Sequence, residues 1–133
     1  MITYQAPSRY VYYNPNPKNN HDSGDCVIRA ISKVMNKDWD SIYLGIAMQG
    51  FIDKMMPSYN PVWDRYLQNN GFKKQSLPSC PDCITVNEFA SMFPSGKYIL
   101  ATGNHAVAVI DGKYYDSWDS GNEVAIYYFK ESD

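Results

Sequence analysis

Two short stretches hold residues that can do chemistry together, although they lie far apart in the chain. The first, Asp22-Ser23-Gly24-Asp25-Cys26-Val27-Ile28-Arg29-Ala30-Ile31, sets a cysteine between a polar, glycine-containing turn and an apolar run at helical spacing. A thiol becomes a nucleophile when its pKa is lowered, and a helix start and a nearby protonated histidine both stabilise the thiolate. The second stretch runs from His105 to Trp118 and carries Asp111-Gly112 between two alternating runs, a strong signal for a two-residue hairpin turn. Its register follows by counting: Ile110 opposes Lys113, Val109 opposes Tyr114, Val107 opposes Asp116 and His105 opposes Trp118. Alternation then puts His105, Val107, Val109, Tyr114, Asp116 and Trp118 on one face, with Asp116 diagonal to His105. A carboxylate there fixes the imidazole tautomer and supports its positive charge, while Trp118 keeps water off the hydrogen bond. Asp111, in the turn, and Asp119, on the opposite parity, are poorer partners. Cys26 as nucleophile and His105 as a base oriented by Asp116 together supply the parts of covalent acyl chemistry.

The elements that must position these residues can be read along the chain. Tyr10 to Tyr13 and the Asn/Pro-rich segment Asn14 to Asn20 form an extended arm and loop over residues 1–20. Val27, Ile28, Ile31, Val34 and Met35 predict a first helix beginning at or beside Cys26, with Ser23 or Asp25 as its cap. Trp39, Ile42, Tyr43, Ile46 and Ala47 predict a second helix with one buried face, packed on the first. Asn60-Pro61 reads as the cap and first residue of a third, ended by Asn70-Gly71, and Thr85 to Glu88 as the capping box of a fourth through Phe93. After Pro94-Ser95-Gly96 the period becomes two, predicting strands at 97–102, 105–110, 113–118 and 124–129 in a meander. The expected architecture is α+β in one domain, residues 1–133, with a mainly helical part (24–93) packed on a C-terminal antiparallel sheet (97–129).

Composition limits the functions available. A chain of 133 residues suits a single core, and 12 basic against 14 acidic residues without a basic block gives no surface for neutralising phosphates, so no nucleic-acid partner is expected. No signal peptide opens the chain and no apolar run approaches the roughly 20 residues that span a bilayer, which predicts a cytoplasmic monomer without a membrane partner. Three cysteines in such a chain argue against a disulfide framework.

With these residues in place, the arrangement resembles the papain-like cysteine peptidase superfamily, in particular small bacterial or phage members and the bacteriocin-processing and deubiquitinase-like branches. A cysteine opens the first long helix, more helices follow, and a sheet carries the histidine. Asp116-Ser117-Trp118 is similar to the Asn-Ser-Trp of papain relatives, with aspartate in the orienting place as in the bacteriocin-processing branch. The resemblance implies a papain-like fold, a protein or peptide substrate, no cofactor and no metal. It also implies an oxyanion donor at Asn20, six residues before the cysteine where those families carry glutamine, acting with the Cys26 backbone N–H. The residues after Cys26 depart from the family's usual Cys-Gly or Cys-Trp. The expected reaction is cleavage of a peptide or isopeptide bond, including a ubiquitin-like one, through a Cys26-His105-Asp116 triad and a thioester. Transamidation, deamidation or acyl transfer would use the same triad, and a non-catalytic binding module or inhibitor on the same fold is the alternative from another class.

Three further features have ordinary explanations. Cys80-Pro81-Asp82-Cys83 has the spacing of a metal or redox pair, but a structural zinc wants four ligands, so a local turn is expected. Met48, Met55 and Met56, with Phe51 and Ile52, could line an apolar substrate pocket, although filling core gaps is the commoner use of methionine. The tyrosines of the arm are expected to pack on the sheet.

Overall fold

The computed structural model describes residues 8–19 and 23–132. In chain order the elements are β1 (Tyr10–Tyr12), α1 (Cys26–Met35), α2 (Trp39–Asp53), α3 (Asn60–Asn69), β2 (Phe72–Ser76), β3 (Ile84–Thr85), α4 (Val86–Met92), β4 (Lys97–Ala101), β5 (Ala106–Ile110), β6 (Lys113–Asp116), β7 (Val124–Ala125) and β8 (Tyr127–Glu131). The architecture is mixed α and β, built on a six-stranded sheet of order β1-β6-β5-β4-β8-β2. Five strands run antiparallel to their neighbours, while β1 joins the edge in parallel with β6, Tyr12 opposite Asp116.

Several expectations change here. The arm is partly a strand, and the segment 24–93 contains β2, which pairs with β8 along Phe72 to Ser76. β2 escaped notice because only Phe72 is buried, and its exposed lysines give it no apolar alternation. The C-terminal strands are not a simple meander, since β8 returns beside β4 rather than beside β6. The run 124–129 divides at Ile126: Val124–Ala125 pairs with Ile84–Thr85 in a separate two-stranded sheet, and β8 starts at Tyr127. The predicted hairpin register holds through Ile110–Lys113, Val109–Tyr114 and Ala108–Tyr115. Its turn residues Asp111 and Gly112 have φ of 50° and 80°, the left-handed values that a tight hairpin turn needs.

The sheet is packed on both faces. Ile99, Ala101, Ala106, Ala108 and Phe129 meet α1, α2 and α3 through Ile31, Ile42, Val62, Trp63 and Leu67. Tyr98, Leu100, Val107, Val109 and Tyr114 meet Val86, Phe89 and Ala90 of α4. Alternation therefore sends Val107, Val109 and Tyr114 toward α4, whereas His105 and Asp116 stand at the strand ends, where they reach α1. The alanines at 106 and 108 matter for this, because small side chains let α1 lie close on β5.

The helix boundaries follow local chemistry. Thr85 and Glu88 exchange side-chain and backbone hydrogen bonds as a full capping box for α4. Tyr59, one residue earlier than expected, is the cap of α3, and Pro61 lies in its first turn. α2 differs from expectation in its packing: Ile42, Ile46, Gln49 and Gly50 are buried, but Tyr43 is exposed, and so are Met48, Phe51, Ile52, Met55 and Met56. These methionines do not fill the core. The cysteine expectation also needs correcting, because Cys80 and Cys83 are joined in a disulfide. Among the described residues no helix is long and apolar enough to cross a membrane.

Phe129, fully buried among the rings of Trp63 and Tyr127, tests the larger core. Phe129→Ala should lower the unfolding free energy by about 3–5 kcal/mol, and Thr85→Ala, which removes the α4 cap, by about 1 kcal/mol. Urea unfolding followed by tryptophan fluorescence measures both, and equal losses would contradict this division of the stability.

Candidate active site

Cys26 is the first residue of α1, where backbone N–H groups lack intrahelical partners and the helix dipole favours negative charge. Gly24, at φ +69°, turns the chain into the helix with a backbone that L side chains rarely adopt. Asp25 occupies the cap position but makes no side-chain cap hydrogen bond, contrary to one of the expected capping choices. Its carboxylate instead accepts from the Trp39 indole N–H at 2.8 Å and the Asn16 amide at 3.2 Å, and pairs with Arg29. Burial pushes its pKa up, but hydrogen bonds from Ser23, Trp39 and Asn16 and the charge of Arg29 outweigh that and hold it below the ordinary value.

Arg29 lies one turn beyond Cys26 and is buried at 6% exposure. Its other terminal nitrogen donates to Asp116 Oδ1 at 3.3 Å, so one guanidinium joins the carboxylate before the helix to a carboxylate at the end of β6. Asp116, 2% exposed, is saturated with donors. Oδ1 also accepts the Ser117 N–H at 2.8 Å, and Oδ2 faces His105 Nε2 at 2.5 Å and accepts the Ser120 hydroxyl at 2.7 Å. Trp118 tilts over the imidazole with ring centroids 4.9 Å apart and stays partly exposed. Tyr114 and Gly121 tie the same loop together through Asp119, which accepts the Tyr114 hydroxyl at 2.6 Å and the Gly121 N–H at 3.0 Å.

Cys26 and His105 line the same groove, and His105 and the Ala106 backbone N–H both act to stabilise the thiolate of Cys26. Because Asp116 takes Nε2, Nδ1 is the ring nitrogen left for the sulfur. Burial raises the thiol pKa, yet the hydrogen bond and charge of His105, the Ala106 N–H and the charge of Arg29 together leave it lowered. For His105, burial favours the neutral ring, but the hydrogen bonds to Asp116 and Cys26 and their charges dominate and raise its pKa to about 9. A thiolate beside an imidazolium is thus favoured between the lowered thiol pKa and about 9.

Cys26 and His105 open onto a groove of about 1040 Å³. Trp39, Tyr43 and Ile46 of α2 and Trp63 of α3 line it, with Asn16 to Lys18, Met56 to Ser58 and Thr102 to Asn104. Four of the residues singled out in the sequence, Cys26, His105, Asp116 and Trp118, come together here. The fifth, Asn20, lies outside the described residues. Sequence reasoning missed Arg29, Asp25, Ser120, Asn16 and Trp39. Asp25 and Arg29 did carry a signal, an acid and a base four residues apart on a helix whose neighbours are apolar, which is where a buried ion pair would have to lie. Among the described residues no group of three or more histidine, cysteine or acidic side chains is placed to hold a metal ion. Compared with protein-family models, with curated proteins and with solved structures, the chain has no match in any of the three.

These contacts predict how Cys26 responds to pH. A thiol of ordinary pKa, about 8.5, loses about tenfold in alkylation rate for each pH unit below that value. Cys26 should keep a thiolate, and hence iodoacetamide reactivity, to lower pH than such a thiol, and His105→Ala should move the profile back toward ordinary thiol behaviour. Arg29→Met should shift the profile in the same direction by less, through both lost charge and a loosened Asp116. Stopped-time alkylation read by mass spectrometry of the intact chain gives all three profiles, and superimposable curves would refute the coupling.

Proposed function

We propose that the protein is a papain-like thiol hydrolase that cleaves a peptide or isopeptide bond in a protein or peptide substrate. The observation that carries this reading is that Cys26, at a helix start, and His105, hydrogen-bonded to the buried Asp116, line one groove large enough for a peptide.

The mechanism follows from the groups present. The Cys26 thiolate attacks the scissile carbonyl carbon, and its electron pair forms the C–S bond as the carbonyl π pair moves to oxygen. The Cys26 N–H, at the positive end of α1, is the proposed first donor to that oxyanion and Asn20 the proposed second. Protonated His105 gives its Nδ1 proton to the departing amine, the C–N bond breaks, and a thioester remains. Neutral His105 then takes a proton from water, the hydroxide attacks the thioester, and the acid leaves as the thiol is regenerated. Asp116 holds the ring in the tautomer that leaves Nδ1 toward sulfur and offsets the imidazolium charge. Trp118 limits the access of water to one face of the ring. An amine entering in place of water would give transamidation with the same residues.

Labelling with electrophilic peptide and ubiquitin-like probes tests nucleophile, base and substrate class together. Wild-type protein should label at Cys26, Cys26→Ala should not label, and His105→Ala or Asp116→Ala should slow labelling by about 10²–10⁴-fold. Turnover of any peptide found this way should fall as pH rises through about 9, because His105 then loses the proton that the leaving amine needs. Alkylation of Cys26 no faster than a model thiol would sink the hydrolase and leave a non-catalytic binding module on this fold.

A further inference from the structure

α2 carries apolar residues on its outer face as well as its inner one. Ile42 and Ile46 face the core, while Leu44, Met48, Phe51 and Ile52 stand on the outside at 58% to 68% exposure. Their spacing of four, three and one residues places them along a single helical stripe. Helices apolar all round are normally buried, and a contiguous exposed apolar patch marks a surface that binds something. The stripe is continuous with the groove. Ala47, Met56 and Pro57 line both the groove and a shallower hollow of about 470 Å³, whose other side is Phe51, Lys54 and Met55. Lys54 is the charged residue lining that hollow, and its ammonium already sits 4.0 Å from the Phe51 ring centroid.

We propose that this stripe and hollow form an exosite for an apolar segment of the same substrate whose scissile bond enters the groove, an inference that rests on Cys26 being the nucleophile. Continuity selects this occupant, because a chain leaving the groove past Met56 and Pro57 runs directly onto the hollow. The distance sets where the segment lies. Tyr43, in the groove, and Phe51, on the stripe, are separated by eight helical residues or about 12 Å, a span of about four residues of extended peptide. Methionine side chains at Met48, Met55 and Met56 adapt to many shapes, so the exosite selects apolar character rather than one side chain. Exposed Asp40 at the start of α2 and the net charge of −2 disfavour an anionic lipid surface as the occupant.

The test uses full-length Cys26→Ala protein and fluorescent decapeptides that carry Leu-Phe at either end of a Gly-Ser chain, against an all Gly-Ser decapeptide. The Leu-Phe peptides should bind on the order of tenfold more tightly, and Phe51→Asp and Met48→Ser should each remove most of that preference. Lys97→Ala, on exposed β4 surface, should leave it, and melting temperatures check that each variant is folded. Equal binding of both peptide sets, or a preference untouched by folded Phe51→Asp, overturns the exosite. So does a stripe substitution that instead dissolves a dimer in sedimentation velocity or abolishes co-sedimentation with phosphatidylcholine vesicles. Alkylation separates the two layers of inference. An ordinary rate at Cys26 overturns the hydrolase reading and with it a substrate at this surface, whereas a fast rate with equal peptide binding overturns the exosite alone.

Discussion

The carboxylate of Asp116 is the point at which the helical and sheet parts of this protein are fastened together. Its two oxygens collect Arg29 from α1, His105 from the start of β5, and Ser117 and Ser120 from the loop that follows β6. Its backbone carbonyl accepts the Tyr13 N–H at 2.8 Å and the Tyr10 hydroxyl at 3.2 Å, which brings in the N-terminal strand as well. Few alternatives could satisfy a buried carboxylate so fully. Removing the carboxylate would leave all of these donors without their shared acceptor, so the contacts act as a unit rather than as separate bonds.

Such a junction is a poor way to gain stability. Ions drawn out of water recover their hydration only when geometry and partners are nearly complete, and well-packed apolar groups often do as well. The larger contribution to stability comes from the two apolar layers around Phe129 and Phe89, which would hold the sheet and helices together without any charge. The ionic chain from Asp25 through Arg29 to Asp116 and His105 therefore has its value in position. It sets the start of α1 against the end of β5 and controls the protonation of two side chains.

Much of the site was legible because its logic is local. The register of a two-residue hairpin is a matter of counting, so His105 and Asp116 could be paired without knowing where the sheet lay. The start of a helix shows in apolar spacing, so Cys26 could be placed at a terminus. What escaped was non-local. Nothing in Tyr10-Val11-Tyr12 says that it pairs in parallel with a strand a hundred residues later, and nothing in Lys73-Lys74-Gln75 marks an edge strand held by β8. Arg29 could be suspected of burial, but its second partner depends on how α1 docks, which depends on the alanines of β5. The outer face of α2 failed for another reason. Apolar residues there were assigned to the core, although they are exposed, because composition does not distinguish a surface that covers the core from one left uncovered.

The distance in sequence between the parts has a consequence for when the thiol acquires its surroundings. In a chain made from its N-terminus, Cys26 is present long before His105 and Asp116, and β1 must wait for β6 before it has a neighbour. Until that late pairing closes, the sulfur has neither His105 nor the Ala106 N–H beside it, and it reacts as any free cysteine does. The surroundings that lower the Cys26 thiol pKa are thus supplied by completion of the fold, and a nascent or locally opened chain holds a cysteine of ordinary acidity.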